Sequence, residues 1–130
     1  ATVFGDPLGQ VPQMDTFLFP ADECLVQKAK EVNEKVNPDI HTFTGIVASG
    51  DQFIASKEAK EKIVTNFHAF CAEMEGAAIA HAAYLNKVSC VIIRAISDKA
   101  DNSAVMDYPE FEKRAIRQNV RLVTELVAEI

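Results

Sequence analysis

Residues 43–54 read FTGIVASGDQFI, a β-branched and apolar run, Phe43 to Ala48, that breaks at Ser49-Gly50-Asp51. With apolar side chains at successive positions, both faces of the strand are suited to burial, the pattern of a parallel sheet between helices. Upstream, Asp22 is a candidate N-cap, followed by Leu25, Ala29, Val32 and Val36 at helical spacing and a stop before Pro38. Downstream, Ser56 caps a short helix to Asn66, and Phe70-Cys71-Ala72 is a brief strand leading into the Ala-rich helix Gly76 to Leu85. The most apolar segment, Val88 to Ile96, predicts a further buried strand. Asp107-Tyr108-Pro109-Glu110 resembles a capping box, opening a final helix with Phe111, Ala115, Leu122, Val123, Leu126 and Ile130 as its apolar stripe.

This order, strand and helix alternating, predicts an α/β fold with a three-layer, mostly parallel sheet flanked by helices. The 130 residues form one domain unit with no repeat or internal linker. Gly5 to Pro20 holds three of the five prolines and two of the five glycines and reads as an exposed loop. The chain opens with the strand-like run Ala1 to Phe4, which reads as a cut.

Composition removes several function classes. Hydrophobic residues are 48% and charged residues 25%, ordinary globular proportions. The 13 Lys and Arg are outnumbered by 19 Asp and Glu, and the one basic cluster, Lys113, Arg114, Arg117 and Arg121, is interleaved with glutamates, which argues against nucleic acid. The longest nearly apolar run, Ala77 to Leu85, is far short of the ~20 residues needed to cross a bilayer. Cys24, Cys71 and Cys90, odd in number and widely spaced, read as reduced, buried thiols of a cytoplasmic protein. His41, His68 and His81 have no ligand spacing, so no metal is expected.

In parallel sheets ligands bind beyond the C-terminal strand ends. Three predicted strands end in polar clusters, Ser49 to Gln52, Glu73 to Glu75, and Ser97-Asp98, which parallel pairing would bring to one rim. There Asp98 either donates a proton or caps the following loop. Glu73 and Glu75 lie on one side if the backbone stays extended, or Glu75 starts the next helix. Arg94, a charge inside an apolar run, requires a carboxylate partner, Glu73 or Glu75. Phe53 either stacks on a flat heterocycle or covers the core.

The motifs SGDQFI (49–54), AEMEGAAIAHAA (72–83) and VIIRAISDKAD (91–101), with FGDPLGQVP (4–12), together resemble the C-terminal half of 5'-methylthioadenosine/S-adenosylhomocysteine nucleosidases, members of the nucleoside phosphorylase superfamily. The resemblance implies hydrolysis of the adenine–ribose bond of these thionucleosides, without cofactor, in methionine salvage. It implies Asp98 as the acid at purine N7, Ser97 positioning it, and Arg94 beside the water site. Phe53 would stack on adenine, the main chain of Ile54 would pair with the purine edge, and Met74 and Glu75 would hold the ribose. Tyr108 would lie over the ribose and thioalkyl group. Phe4 and Pro12 would reach the partner subunit of a homodimer. At Asp6 the sequence departs from the aromatic residue common in the family. The family's water-activating glutamate has no matching position, so the resemblance implies a C-terminal portion, catalytically silent alone. Competing readings are a purine nucleoside phosphorylase and a non-catalytic module that binds adenine nucleosides or dimerises.

Overall fold

The computed structural model describes residues 5–96 and 108–130. Its elements run α1 (Glu23–Val36), β1 (Ile46–Ser49), α2 (Lys57–Phe67), β2 (Ala69–Glu73), α3 (Gly76–Asn86) and α4 (Tyr108–Glu129). Two of the anticipated caps are present, Asp22 Oδ1 accepting from the Leu25 amide at 3.0 Å and Ser56 Oγ from the Ala59 amide at 3.2 Å, while Asp107, the cap expected for the last helix, lies outside the described residues. Each of the two occupies one of the donors that a helix start leaves unpaired. Helix α2 ends at His68 and α3 at Lys87, both in left-handed backbone, with φ of 52° and 56°. Among the described residues, no helix is long and apolar enough to cross a membrane.

Strands β1 and β2 pair in parallel, joined through α2, as their two-faced apolar pattern predicts. The register sets Ser49 opposite Glu73, so both strands deliver polar residues to the same end. Gly45 lies under the Phe70 ring, where a Cβ would collide with it.

Among the described residues the sheet has two strands, so the strand expected at Val88 to Ile96 is a correction. This segment has no ladder to β1 or β2, and its Cys90 carbonyl accepts instead from the Asp22 amide at 2.9 Å. Hydrophobicity reports the burial a segment seeks, whereas a strand also requires a partner edge for its backbone. Ile93 packs on the helical core and Arg94 turns to the strand ends.

That core is formed by Ala29 and Val32 of α1 against Leu122 and Leu126 of α4, with Val36 and Ile93 at its margin. Lys28 and Lys35 reach Glu129 while Asn37 reaches Gln118, so the helices run antiparallel. Val123 and Ile130 are exposed, off the stripe expected for α4. The thiols also differ from expectation: Cys24 is exposed on the outer face of α1, and Cys71 and Cys90 are half-buried.

Beside the apolar core, Asn37 Nδ2 donates to Asn33 Oδ1 at 2.9 Å and to the Gln118 carbonyl at 3.1 Å, and Asn33 Nδ2 donates to Thr42 Oγ1 at 2.8 Å. Both asparagines are buried. Asn37→Ala removes the extra bond to the Gln118 carbonyl and leaves the buried Asn33 Oδ1 without its donor, a loss of about 1–3 kcal/mol. Urea unfolding should show a lower midpoint with an unchanged slope.

Candidate active site

The parallel register brings the end of β1 beside the end of β2, and the turn after β2 starts α3 immediately. Glu73 is the last residue of β2, with a side chain only 9% exposed. Its Oε1 accepts from the Ser49 hydroxyl and from the Gly76 amide at 2.9 Å. Its Oε2 accepts from the Glu75 amide at 3.1 Å, the Gly76 amide at 2.7 Å and the Arg94 guanidinium. Glu75 occupies the N-cap position of α3 without a side-chain cap bond, so the capping role falls to Glu73. A Cβ at position 76 would stand 2.9 Å from Glu73 Oε1, which is why glycine suits this close approach.

Arg94 reaches both carboxylates, with Nη2 donating to Glu73 and, at 2.8 Å, to Glu75 Oε2. The partner demanded by a cation in an apolar run is therefore a pair of glutamates. Burial pushes the Glu73 carboxyl upward, but the hydrogen bonds from Ser49, the Glu75 and Gly76 amides and Arg94 outweigh it and hold the group below its ordinary value. Burial works against the Arg94 charge, and its bonds to Glu73 and Glu75 reverse the balance, so its pKa is raised. Both groups are ionised near neutrality.

Next to this cluster opens a cleft of about 400 Å³, within the size range of small-molecule sites. Phe53 and Ile54 line it from the loop after β1, Met74 from the turn after β2, and Ala95 and Ile96 from the segment beyond Arg94. Phe53 is 82% exposed, so it does not serve as a lid on the core and its ring face is free to stack. Cys71 also lines the cleft, where burial and then the Glu73 charge push its thiol pKa up.

The structure thus brings Phe53, Ile54 and Met74 to one cavity, with Glu75 and Arg94 joined at its edge through Glu73. Pro12 is exposed in the loop before α1 and does not line the cleft. Asp98, Ser97 and Phe4 lie outside the described residues, as does the side chain of Tyr108 at the start of α4. Sequence reasoning placed Ser49 in a polar rim cluster but missed its bridging role: it donates to Glu73 and accepts from the Ala77 amide at 2.7 Å. A hydroxyl at the C-terminal end of a parallel strand, opposite a carboxylate in register, was the available signal.

The fold and motifs recur in known proteins. The chain is 41% identical over 132 residues to the 5'-methylthioadenosine/S-adenosylhomocysteine nucleosidase of Desulfotalea psychrophila, covering 100% of this chain and 55% of that protein. It is 40% identical over 125 residues to the aminodeoxyfutalosine nucleosidase of Campylobacter jejuni, covering 96% of this chain and 53% of the relative. The crystal structure of Campylobacter jejuni 5'-methylthioadenosine/S-adenosylhomocysteine nucleosidase superposes with a TM-score of 0.89 at 37% identity, covering 99% of this chain and 55% of that one. The chain spans about half the length of the curated relatives it matches. These neighbours support the α/β architecture and the resemblance carried by the three motifs. A sequence profile of the Phosphorylase superfamily matches residues 1–128, and the chain, with its parallel strand ends and carboxylate-flanked cleft, belongs to that superfamily.

Proposed function

We propose that the complete protein hydrolyses the N-glycosidic bond of 5'-methylthioadenosine and S-adenosylhomocysteine, giving adenine and the thioribose product. The observation that carries this reading is the cleft shared by Phe53, Ile54 and Met74, with the Glu75–Arg94 pair at its edge. An exposed ring at one wall suits a purine, and a carboxylate with only one of its oxygens engaged by Arg94 suits a diol. The bond between the anomeric carbon and the purine nitrogen breaks with its electron pair leaving on the base, so charge on the purine and an oxocarbenium-like sugar develop together. Asp98, positioned by Ser97, protonates the purine at N7. Glu75 accepts hydrogen bonds from the ribose hydroxyls, beside Met74, and Tyr108 covers the sugar and thioalkyl group. Water adds hydroxide to the anomeric carbon near Arg94, and its remaining proton goes to a base elsewhere in the protein. The main chain of Ile54 pairs with the purine edge.

In this reading the chain is the C-terminal portion of a single nucleosidase domain whose base lies in the remainder. Phe43, Phe70 and Val88 are 78%, 69% and 61% exposed, apolar surface that the rest of such a domain would cover. Phe4 and Pro12 belong to a loop that reaches the partner subunit of a homodimer, and the protein acts in the cytoplasm, in methionine salvage. Aminodeoxyfutalosine is a second candidate substrate, because several curated relatives are named for its hydrolysis.

The test is adenine release from methylthioadenosine in phosphate-free buffer by the full gene product, beside the purified 130-residue chain. The full product should turn over without phosphate while the chain stays silent. A strict phosphate requirement would move the protein to the phosphorylases, and steady release by the chain alone would show that the base lies within it.

A further inference from the structure

Two carboxylates flank Arg94, and their surroundings are unlike. Glu73 is 9% exposed at its side chain and Glu75 is 63% exposed. Both oxygens of Glu73 are occupied by donors from Ser49, the Glu75 and Gly76 amides, and Arg94. A carboxylate has about four acceptor sites, so Glu73 has no capacity left for a ligand. Glu75 is bound at one oxygen by Arg94, and its side chain is otherwise exposed. The Ser49 hydroxyl, which donates to Glu73 and accepts from the Ala77 amide at 2.7 Å, fixes Glu73 against both β1 and α3. The chain of support therefore runs from the Ser49–α3 anchor to Glu73, from Glu73 to Arg94, and from Arg94 to Glu75.

We propose that Glu73 is the positioning residue of this site: it holds the Arg94 guanidinium in place, and through it and the Glu75 amide it orients the Glu75 carboxylate toward the ligand. The assignment deepens the nucleosidase reading and rests on it for the ligand, while the support relation itself is independent of substrate. Glu73 is near the cleft, which its side chain helps to line, yet its part is to aim two other groups. Glu73→Gln keeps an acceptor for the Gly76 amide but turns an NH₂ toward Arg94 or Ser49, so a donor meets a donor and the guanidinium is released. Glu75→Gln removes one attraction from Arg94 and leaves the buried one.

The experiment is side-chain NMR of Arg94 in the full gene product, reading exchange of its Nη hydrogens with water. E73Q should accelerate that exchange about tenfold, the loss of one charge-assisted hydrogen bond, and E75Q by less than about twofold. Ser49→Ala, which loosens Glu73 without touching Arg94, should give an intermediate increase and Ser49→Thr should restore the wild-type rate, so the proposal stays testable if E73Q does not fold. Equal acceleration by E73Q and E75Q, or none by E73Q and Ser49→Ala, would overturn it. In the full gene product E73Q should lower kcat for adenine release about tenfold with KM for methylthioadenosine nearly unchanged, because a misaimed Glu75 is felt most in the transition state. A raised KM with unchanged kcat would count against the assignment. A wild-type product that releases no adenine would defeat the nucleosidase reading, and the exchange rates would still decide the role of Glu73.

Discussion

Asp98→Asn is expected to reduce kcat/KM for adenine release by the full gene product about 10³-fold, with the thermal unfolding midpoint unchanged. The size follows from what a general acid contributes, about 10² to 10⁴ in rate. Adenine leaves poorly as an anion, and protonation at N7 neutralises it as the glycosidic bond lengthens. In the proposed reaction asparagine keeps the shape of aspartate and can still hydrogen-bond the base, but it has no proton to deliver. Substrate binding should therefore survive, and KM should move far less than kcat. Steady-state adenine release, read beside a circular dichroism melt, separates the chemical loss from unfolding. Turnover like that of the wild type would remove Asp98 from the acid role.

Glu75→Gln should lower kcat/KM about 10²-fold through the sugar. In the proposed reaction the charged carboxylate accepts from the ribose hydroxyls, and those bonds strengthen as positive charge gathers on the ring. Replacing a charged acceptor by a neutral one costs about 1–2 kcal/mol at each bond. Two such bonds give the stated loss. Affinity for free adenine, which has no ribose, should be unchanged, and calorimetry with adenine alone checks this. A rate unchanged in the variant would place the sugar elsewhere.

Much of the scaffold was legible in single side chains. Asp22 and Ser56 announced the starts of α1 and α2 because a short oxygen-bearing side chain before an amphipathic run has few other uses. The parallel pairing of β1 and β2 followed from apolar residues on both faces of the run at 43–48. Arg94 announced its own partners, since a cation in an apolar segment needs a counter-charge. The failures have a common origin in relations between distant segments. Val88 to Ile96 was hydrophobic enough for a strand, but pairing depends on a free neighbouring edge, which composition does not report. The hub at Glu73 depends on a hydroxyl 24 residues earlier and on the tight turn at Gly76, so it emerged only when β1 and β2 stood side by side. Val123 is apolar and adjoins the stripe of α4, yet one residue is about 100° of helix rotation, enough to carry it from beside Leu122 to the exposed face.

The two walls of the cleft differ in how freely they can change over evolutionary time. Phe53 and Met74 are 82% and 47% exposed, so replacements there would leave the architecture standing and alter the shape offered to a visiting molecule. Glu73, Ser49 and Gly76 interlock, and a change at any one obliges the others to shift. Diversification of what this pocket accepts should thus accumulate on the aromatic wall, while the acidic wall drifts slowly or in concert.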